Sequence, residues 1–208
     1  MIDGLKITLS IFFITLIIAI PFGIIIAFLR LSKNRIINQI AKIYILVMRG
    51  TPLLLQLIFI FFGLPLLGIV FDRYTAAIVA FSLNYAEYFA EIFRGGIKSI
   101  NKGQYEASLV LGFDKLTMYK RIVFPQVTKS ILPAMSNEII TLIKDTAIVY
   151  TIGLNDILRI AQIAQNQQAS LMPLVQAAII YLILVSILTQ AFKIFEKKYS
   201  YKLGDFLQ

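Results

Sequence analysis

An apolar run from Ile7 to Leu29, "ITLSIFFITLIIAIPFGIIIAFL", constrains this chain more than any other feature, because it holds no charged side chain. A run of ~18 or more nearly uncharged residues is typical of a helix that crosses a lipid bilayer. The rest of the chain has the same character, since its mean hydropathy is +0.82 and 59% of its residues are hydrophobic. The sequence therefore predicts an all-α integral membrane protein.

Apolar segments of this length recur along the 208 residues, and we expect about five transmembrane helices in one membrane domain over residues 1–208. Gly50 and Pro52 fall inside the second segment and predict a kink or a break there. The predicted spans are Ile7–Leu29, Ile36–Phe62, Tyr74–Ile97, Ser130–Ile152 and Leu171–Phe195.

Lysine and arginine occupy alternate linkers between these segments, which sets the expected orientation. Cytoplasmic loops carry an excess of basic residues, so we predict an N-terminus outside the cell and a C-terminus in the cytoplasm. The net charge of +9 is then explained by anionic lipid beside these linkers, not by nucleic acid. The basic residues of the predicted cytoplasmic segments are Arg30, Lys33, Arg35, Lys98, Lys102, Lys115, Lys120, Arg121, Lys129, Lys197, Lys198 and Lys202.

The chain contains no cysteine and no histidine. Thiol chemistry, zinc sites and histidine proton relays are therefore disfavoured, and we predict no metal site and no catalytic residues. The sequence also shows no duplicated half, so any symmetry of a working transporter would come from a second subunit.

The linker of about residues 101–126 differs from its surroundings, because acidic, basic and apolar residues alternate in "EASLVLGFDKLTMYKRIVFPQ" (Glu106–Gln126). The pattern predicts a short helix that ends at Gly112 and a second helix that is capped by Asp114 and ends at Pro125. A basic amphipathic hairpin lying on lipid headgroups is one interpretation of such a linker.

The order of residues in this linker also resembles the signature loop of the membrane subunits of bacterial ATP-binding-cassette importers. A Glu-Ala-Ala run, a distant glycine and an Ile-x-x-Pro ending mark that loop, and Ser108 replaces the second alanine. The matching residues are Glu106, Ala107, Ser108, Gly112, Ile122 and Pro125. Three more segments are similar to the polar amino acid permease family: "RGTPLLLQL" (Arg49–Leu57), "AEIFRGGIKSI" (Ala90–Ile100) and "NEIITLIKDTAIV" (Asn137–Val149).

The resemblance implies a type I importer fold in the bacterial cytoplasmic membrane, in which the linker between the third and fourth spans is the coupling helix. Its implied partners are a cytoplasmic ATP-binding subunit dimer, a second permease subunit and an extracytoplasmic solute-binding protein, which would dock near Gly153–Gln168. The chain has no phosphate-binding G-x-x-x-x-G-K-[ST] motif, so ATP and Mg²⁺ would be bound by the partner ATPase and this subunit is not expected to be an enzyme. The implied coupling residues are Glu106, Ala107, Ser108, Gly112, Asp114 and Pro125.

Ionisable residues inside the predicted spans mark the expected substrate path, because a charge in hydrocarbon costs at least ~2.5 kcal/mol. Glu91 and Arg94 are expected to form a structural pair or gate brace. Lys144 and Asp145 are adjacent and point apart, so each is better placed to pair with another helix. The candidate substrate-binding residues are Asn84, Glu87, Tyr88, Glu138, Thr141 and Asp145.

Glu87 departs from the resembled family, which usually has a small residue before this tyrosine. No base lies three or four residues further on, where Ala90 and Glu91 stand, so a cationic substrate would neutralise this carboxylate. We therefore predict import of basic amino acids such as arginine, lysine or histidine. The alternative for Glu87 is a protonated glutamate that is hydrogen-bonded to a neighbouring helix.

Other functions stay open on the sequence. The same type of importer would serve neutral polar amino acids such as glutamine. A secondary transporter or channel would use the intramembrane carboxylates to carry protons or cations, although it has no reason for the Glu106–Pro125 pattern. A membrane-embedded hydrolase is disfavoured, because no metal-ligand cluster or nucleophile constellation is apparent.

Overall fold

A computed structural model describes the backbone of residues 1–204 and the side chains of residues 1–198, and every element in this part of the chain is helical. The helices in chain order are α1 (Ile2–Leu31), α2 (Arg35–Gly50), α3 (Leu53–Ile58), α4 (Arg73–Ser99), α5 (Lys102–Val110), α6 (Lys115–Met118), α7 (Phe124–Asp145), α8 (Ile157–Gln168) and α9 (Met172–Gly204). Short turns of other helical types extend them: π turns at Phe59–Gly63 and Tyr119–Val123, and 3₁₀ turns at Leu64–Leu67 and Thr146–Ile152.

Length and composition qualify α1 and α9 as membrane spans, and the number rises to as many as four if each of two bent helix pairs crosses once. Helix α4 is 27 residues long, about 40 Å at the α-helical rise, and so has the length of a span. Its charged residues, among them Glu87, Glu91 and Arg94, make it less apolar than α1 or α9. The predicted all-helical membrane fold is confirmed, and the predicted first, third and fifth spans coincide with α1, α4 and α9.

The second predicted span, Ile36–Phe62, is broken at Gly50 and Pro52, which confirms the predicted kink or break. Helix α2 ends at Gly50, and the helical segment that begins at Leu53 is turned by 102° relative to it. Thr51 between them is extended, with φ −120° and ψ 143°. The reason is local, because a residue that precedes proline is pushed out of the helical region, and Pro52 follows Thr51.

The fourth predicted span begins earlier than expected. We predicted that the second cytoplasmic helix ends at Pro125 and that the span starts near Ser130, yet one continuous helical segment runs from Lys115 to Ile152. A proline inside an α-helix lacks its N–H and clashes with the carbonyl four residues earlier. The π turn at Tyr119–Val123 widens the helix at that point, which lets Pro125 lie near the start of α7 without ending the helix.

Helices α1 and α4 form the centre of the bundle and pack closely. A Cβ at Gly23 would lie 2.7 Å from the Phe89 Cβ and 2.9 Å from the Ala86 carbonyl oxygen. Small residues at such a crossing let two membrane helices approach until their backbones nearly touch. This contact covers the segment of α4 that carries Glu87, which has no accessible surface.

The basic linkers lie at one end of the helix bundle, and the connections without a basic excess lie at the other end. Phe28 of α1, Ile97 of α4 and Phe124 of α7 line one small cavity, so the basic α1–α2 turn lies at the same end as α5 and α6. At the other end the backbone of Gly4 approaches Asp156, the N-cap of α8. Helix α9 starts at this second end and runs toward the first, where Lys197 and Lys198 lie, while the side chain of Lys202 is outside the described residues.

The contact between α4 and α7 gives a direct test of the packing. A methyl group at Gly96 would overlap the Ile131 side chain, whereas the neighbouring Gly95 faces open space. We expect Gly96→Ala to destabilise the protein by ~1–3 kcal/mol through overpacking. Gly95→Ala in the same helix is the matched control and should be neutral or stabilising, by up to ~1 kcal/mol, because alanine favours the helix. Thermal unfolding of both variants in one detergent measures the difference, and equal midpoints would contradict this packing.

Candidate functional site

The break between α2 and α3 is held against α4 by side-chain amides. Gln56 Nε2 donates to the Met48 carbonyl at 2.9 Å and to Thr51 Oγ1 at 2.8 Å. Asn84 Nδ2 on α4 donates to the Gln56 side-chain oxygen at 3.1 Å and lies 3.3 Å from the same Met48 carbonyl. A helix that ends inside a membrane leaves carbonyl groups without hydrogen-bond donors. The side-chain amides of Gln56 and Asn84 are the donors to the Met48 carbonyl.

The side-chain amide of Asn84 is therefore already hydrogen-bonded to the segment at the helix break. It is buried, with 4% of its surface exposed, and its amide group binds the broken segment. Our sequence analysis placed it among the candidate substrate-binding residues. The geometry gives it a second possible task, which is to position the end of α2 relative to α4.

Arg49 lies in the last turn of α2, directly before the break, and its side chain lies close to polar residues of α4. Its guanidinium carbon lies 5.8 Å from the centre of the Tyr88 ring, a cation–π distance. Its charge acts on three carboxylates of α4 and α7, which are Glu87, Glu91 and Glu138. Arg49 is solvent-accessible in the isolated chain, so its guanidinium group is open to a further ligand.

Glu87 of α4 is fully buried. Within residues 1–198, neither of its carboxylate oxygens has a hydrogen-bond partner. The nearby Tyr44 hydroxyl donates to the Leu83 carbonyl instead. The hydrogen bond to a neighbouring helix that our alternative interpretation requires is therefore not present in this part of the chain.

The polar residues of α7 face the same region from the other side. The Tyr85 hydroxyl of α4 donates to Asp145 Oδ2 at 2.7 Å, so Asp145 bonds to another helix and not to the adjacent Lys144, whose side chain is exposed. Glu138 is half-buried. The Thr141 hydroxyl donates to the Asn137 carbonyl of its own helix at 3.0 Å.

A cavity of about 330 Å³ opens beside this cluster, and three of its seven lining residues are basic. Arg30, Lys42 and Arg49 contribute to its wall, together with Glu91. Glu91 forms the predicted ion pair with Arg94, whose Nε donates to Glu91 Oε1 at 2.8 Å and whose second nitrogen donates to Oε2. Its charge is thus already compensated, which leaves the cavity wall positive.

At the basic end of the bundle, α5 and α6 form a hairpin around Gly112. Gly112 has a φ of +73°, and its N–H donates to the Leu109 carbonyl while the Phe113 N–H donates to the Ser108 carbonyl, both at 3.0 Å. These two bonds make a Schellman motif, which favours glycine at the left-handed position. The predicted end of the first helix at Gly112 is confirmed.

The second half of the hairpin is fixed by Asp114. Its carboxylate accepts hydrogen bonds from the backbone N–H groups of Leu116 and Thr117 at 3.1 and 3.4 Å, which confirms the predicted cap. Hydrogen bonding with the Thr117 side chain and these N–H groups holds the pKa of the Asp114 carboxyl below its usual value.

The outer surface of the hairpin is apolar. Glu106 and Ala107 are exposed on α5, and Ser108 is buried against the helix. Pro125 lies in α7, apart from the turn. The exposed apolar side chains of the hairpin are Leu109, Val110, Leu111, Leu116 and Tyr119. A surface of this kind normally requires a partner.

Sequence reasoning missed three members of the cluster. Arg49 and Gln56 stand in a segment that we noted for its glycine, its proline and its family resemblance, but not for these two side chains. Tyr85 lies between Asn84 and Glu87 of α4, which we did name as candidates. An arginine inside an apolar segment is costly and was a signal that could have identified Arg49. The role of Gln56 depends on the 102° turn, which the sequence does not specify.

Comparison with known proteins places this geometry in a family. The arginine transport system permease protein ArtQ of Bacillus subtilis is 46% identical over 198 residues, which is 94% of this chain and 90% of ArtQ. The putative glutamine transport system permease protein GlnP of Rickettsia conorii is 38% identical over 199 residues, which is 95% of this chain and 91% of GlnP.

Solved structures agree with these relatives. A crystal structure of an amino acid ABC transporter with histidines is 36% identical and superposes with a TM-score of 0.88, over 95% of this chain and 92% of that one. The MetNI methionine ABC transporter has the same fold at 19% identity, with a TM-score of 0.70 over 95% of this chain and 93% of that one. The family described as "binding-protein-dependent transport system inner membrane component" matches residues 19–201, and this chain belongs to that family.

Proposed function

We propose that this chain is the membrane subunit of an ATP-driven importer for polar amino acids and that its substrates are basic ones such as arginine, lysine and histidine. Its relatives are named as permeases of arginine and glutamine systems, which supports an amino acid substrate. The family match favours an importer of this type over an ion-coupled carrier.

The proposal of a basic substrate rests on the unpaired carboxylate of Glu87. Glu91 is compensated by Arg94 and Asp145 is bonded to the Tyr85 hydroxyl, whereas Glu87 has neither kind of partner within the described side chains. Charges interact strongly in a medium of low dielectric constant. The carboxylate of Glu87 would therefore favour a cationic substrate side chain in the nearby substrate path even without direct contact. A rearrangement of the helices during transport would let the substrate side chain contact Glu87.

The site residues proposed for the substrate path are Asn84, Glu87, Tyr88, Glu138, Thr141 and Asp145. Glu138 is half-buried on α7 and is proposed to receive the α-ammonium group that all amino acids share. Asn84 is proposed to act indirectly, because its amide holds the α2 break. Tyr88 lies beside Arg49 and supplies an aromatic wall.

The α5–α6 hairpin is proposed to be the coupling helix within a single permease domain of residues 1–208. Its exposed apolar side chains fit a groove on a partner ATPase in the way that an amphipathic helix binds an apolar groove. ATP and Mg²⁺ would be bound by that partner. Glu106, Ala107, Ser108, Gly112 and Asp114 shape the hairpin, and Pro125 begins the helix that leaves it.

The membrane orientation follows from the same assignment. The basic end of the bundle, with the hairpin and the C-terminus, would face the cytoplasm, and the N-terminus would lie outside. Helix α8 lies at the opposite end and exposes Asn166, Gln167 and Gln168. This polar end is proposed as the docking surface of an extracytoplasmic solute-binding protein, with a second permease subunit completing the pore.

A neutral polar amino acid such as glutamine is the second candidate substrate. The glutamine permease GlnP is 38% identical to this chain, so the fold serves both types of system. Our preference for a basic substrate rests on the carboxylate of Glu87, and the experiment on that residue below tests it.

Gly112 gives the test of coupling. Gly112→Val should uncouple ATP hydrolysis from uptake or release the ATPase, because a β-branched residue at a φ of +73° is strained, by ~1–2 kcal/mol or more. Gly112→Asn is the matched control, since asparagine tolerates this conformation, and it should retain coupling. ATPase activity and uptake of reconstituted complexes are measured side by side. Full assembly and full uptake by Gly112→Val would overturn the coupling assignment.

Glu87 gives the test of substrate class. Glu87→Gln keeps the size of the side chain and removes its charge, so it should weaken transport of arginine and lysine by at least about tenfold, or ~1.4 kcal/mol, while glutamine loses less or gains. Glu138→Gln should instead weaken all of these substrates. Uptake is measured in vesicles that contain the ATPase and the binding protein.

An equal loss for arginine, lysine, histidine and glutamine in Glu87→Gln, with normal folding, would make Glu87 a structural carboxylate. The preference for basic substrates would then lose its main support, although the importer assignment would stand.

A further inference from the structure

Arg49 is a basic residue whose backbone position is fixed, although it forms no ion pair within residues 1–198. Gln56 and Asn84 lock the backbone on either side of the α2 break, and the Tyr88 ring lies 5.8 Å from the guanidinium carbon. A cation at this depth of a membrane protein is costly unless it has a partner or a function. Its place at the end of α2 is therefore a feature that needs an explanation.

No carboxylate of the chain is committed to Arg49. Across residues 1–198, ion pairs within 4.0 Å join only Lys6 with Asp3 and Arg94 with Glu91. Arg49 lies near Glu87 and Glu138 without contacting either. Its N–H groups are therefore free to bind an anionic group that comes from outside the chain.

The surroundings of Arg49 are electrically asymmetric. Arg49 lines the cavity of about 330 Å³ to which Arg30 and Lys42 also contribute. It also lies near the carboxylates of Glu87 and Glu138. A molecule that carries both a carboxylate and a cationic group would match both kinds of neighbour.

We propose that Arg49 binds the α-carboxylate of the transported amino acid. A guanidinium group presents paired N–H donors that match the two oxygens of a carboxylate, and stacking on Tyr88 leaves its edges free for them. The α-ammonium group and a basic side chain then lie toward Glu138 and Glu87. This inference rests on the proposed function and adds the residue that recognises the part common to all amino acid substrates.

Agmatine, which is arginine without its α-carboxyl group, tests the proposal. The intact transporter with its ATPase is placed in lipid nanodiscs without the solute-binding protein, which would otherwise select the ligand. Competition against radiolabelled arginine should show that the wild type prefers arginine to agmatine by about tenfold or more, a factor typical of one lost charged contact.

Arg49→Gln should weaken arginine binding until this preference falls below about threefold, with agmatine binding unchanged. Arg49→Lys keeps the charge and should retain part of the preference. Arg35→Gln is the matched control, because Arg35 lies on the same helix about 21 Å away along its axis, and it should behave as wild type. Size-exclusion chromatography verifies that each complex assembles.

Equal binding of arginine and agmatine by the wild type would overturn the proposal, and so would an equal loss of both ligands in Arg49→Gln. If Arg49→Gln does not assemble, the wild type and Arg49→Lys decide. A preference that is reduced but not lost in Arg49→Lys supports the proposal, and an unreduced preference there, or no preference in the wild type, overturns it. If the wild type binds glutamine but not arginine, the basic substrate is wrong, and the same comparison is made with glutamine and its decarboxylated analogue 4-aminobutanamide.

Discussion

The hydrogen bonds that close the α2–α3 break determine where the other polar groups lie. Pro52 prevents a continuous helix, and the Met48 carbonyl that is freed by the break is bound by Gln56 and Asn84. In hydrocarbon such a carbonyl would cost several kcal/mol without a partner. Because one of the two donors belongs to α4, satisfying the break also fixes α2 against α4. Arg49, at the end of α2, is thereby held above the carboxylates of α4.

Most polar groups in this part of the bundle have partners from the chain itself. Glu91 has Arg94, and Asp145 has the Tyr85 hydroxyl. Buried polar groups are normally paired in this way, and pairs of this kind stabilise one arrangement of helices. Among the described side chains, the carboxylate of Glu87 has no hydrogen-bond partner and Arg49 forms no ion pair. Arg49 is exposed and open to a ligand, whereas Glu87 is fully buried and becomes accessible only if the helices rearrange.

The sequence was sufficient for features that depend on neighbouring residues. The Gly112 turn, the Asp114 cap and the Glu91–Arg94 pair each follow from a few consecutive side chains, and the structure contains all three. Membrane-length hydrophobicity likewise predicted α1 and α9. These features form in the same way wherever the segment lies in the fold.

Features that depend on several segments were beyond the sequence. The 102° turn after α2 is stabilised by an amide from α4, so its size cannot be inferred from Gly50 and Pro52 alone. The Tyr85–Asp145 bond joins residues far apart in the chain. The π turn before Pro125 replaced the predicted helix end, because a helix can absorb a proline by widening as well as by stopping. The packing around a proline determines whether the helix widens or ends there.

The hairpin and the polar cluster are connected by the same two helices. Helix α4 enters the hairpin at Ser99, and Glu87 lies roughly 18 Å back along its axis; α7 leaves the hairpin and carries Glu138 roughly 20 Å further on. The two helices touch at Gly96 and Ile131, where α4 has no side chain to separate them. Packed interiors transmit displacement because they resist compression. A force applied to the hairpin is therefore expected to move α4 and α7 together, and Arg49 is expected to follow α4, because the hydrogen bonds of the break link α2 to α4.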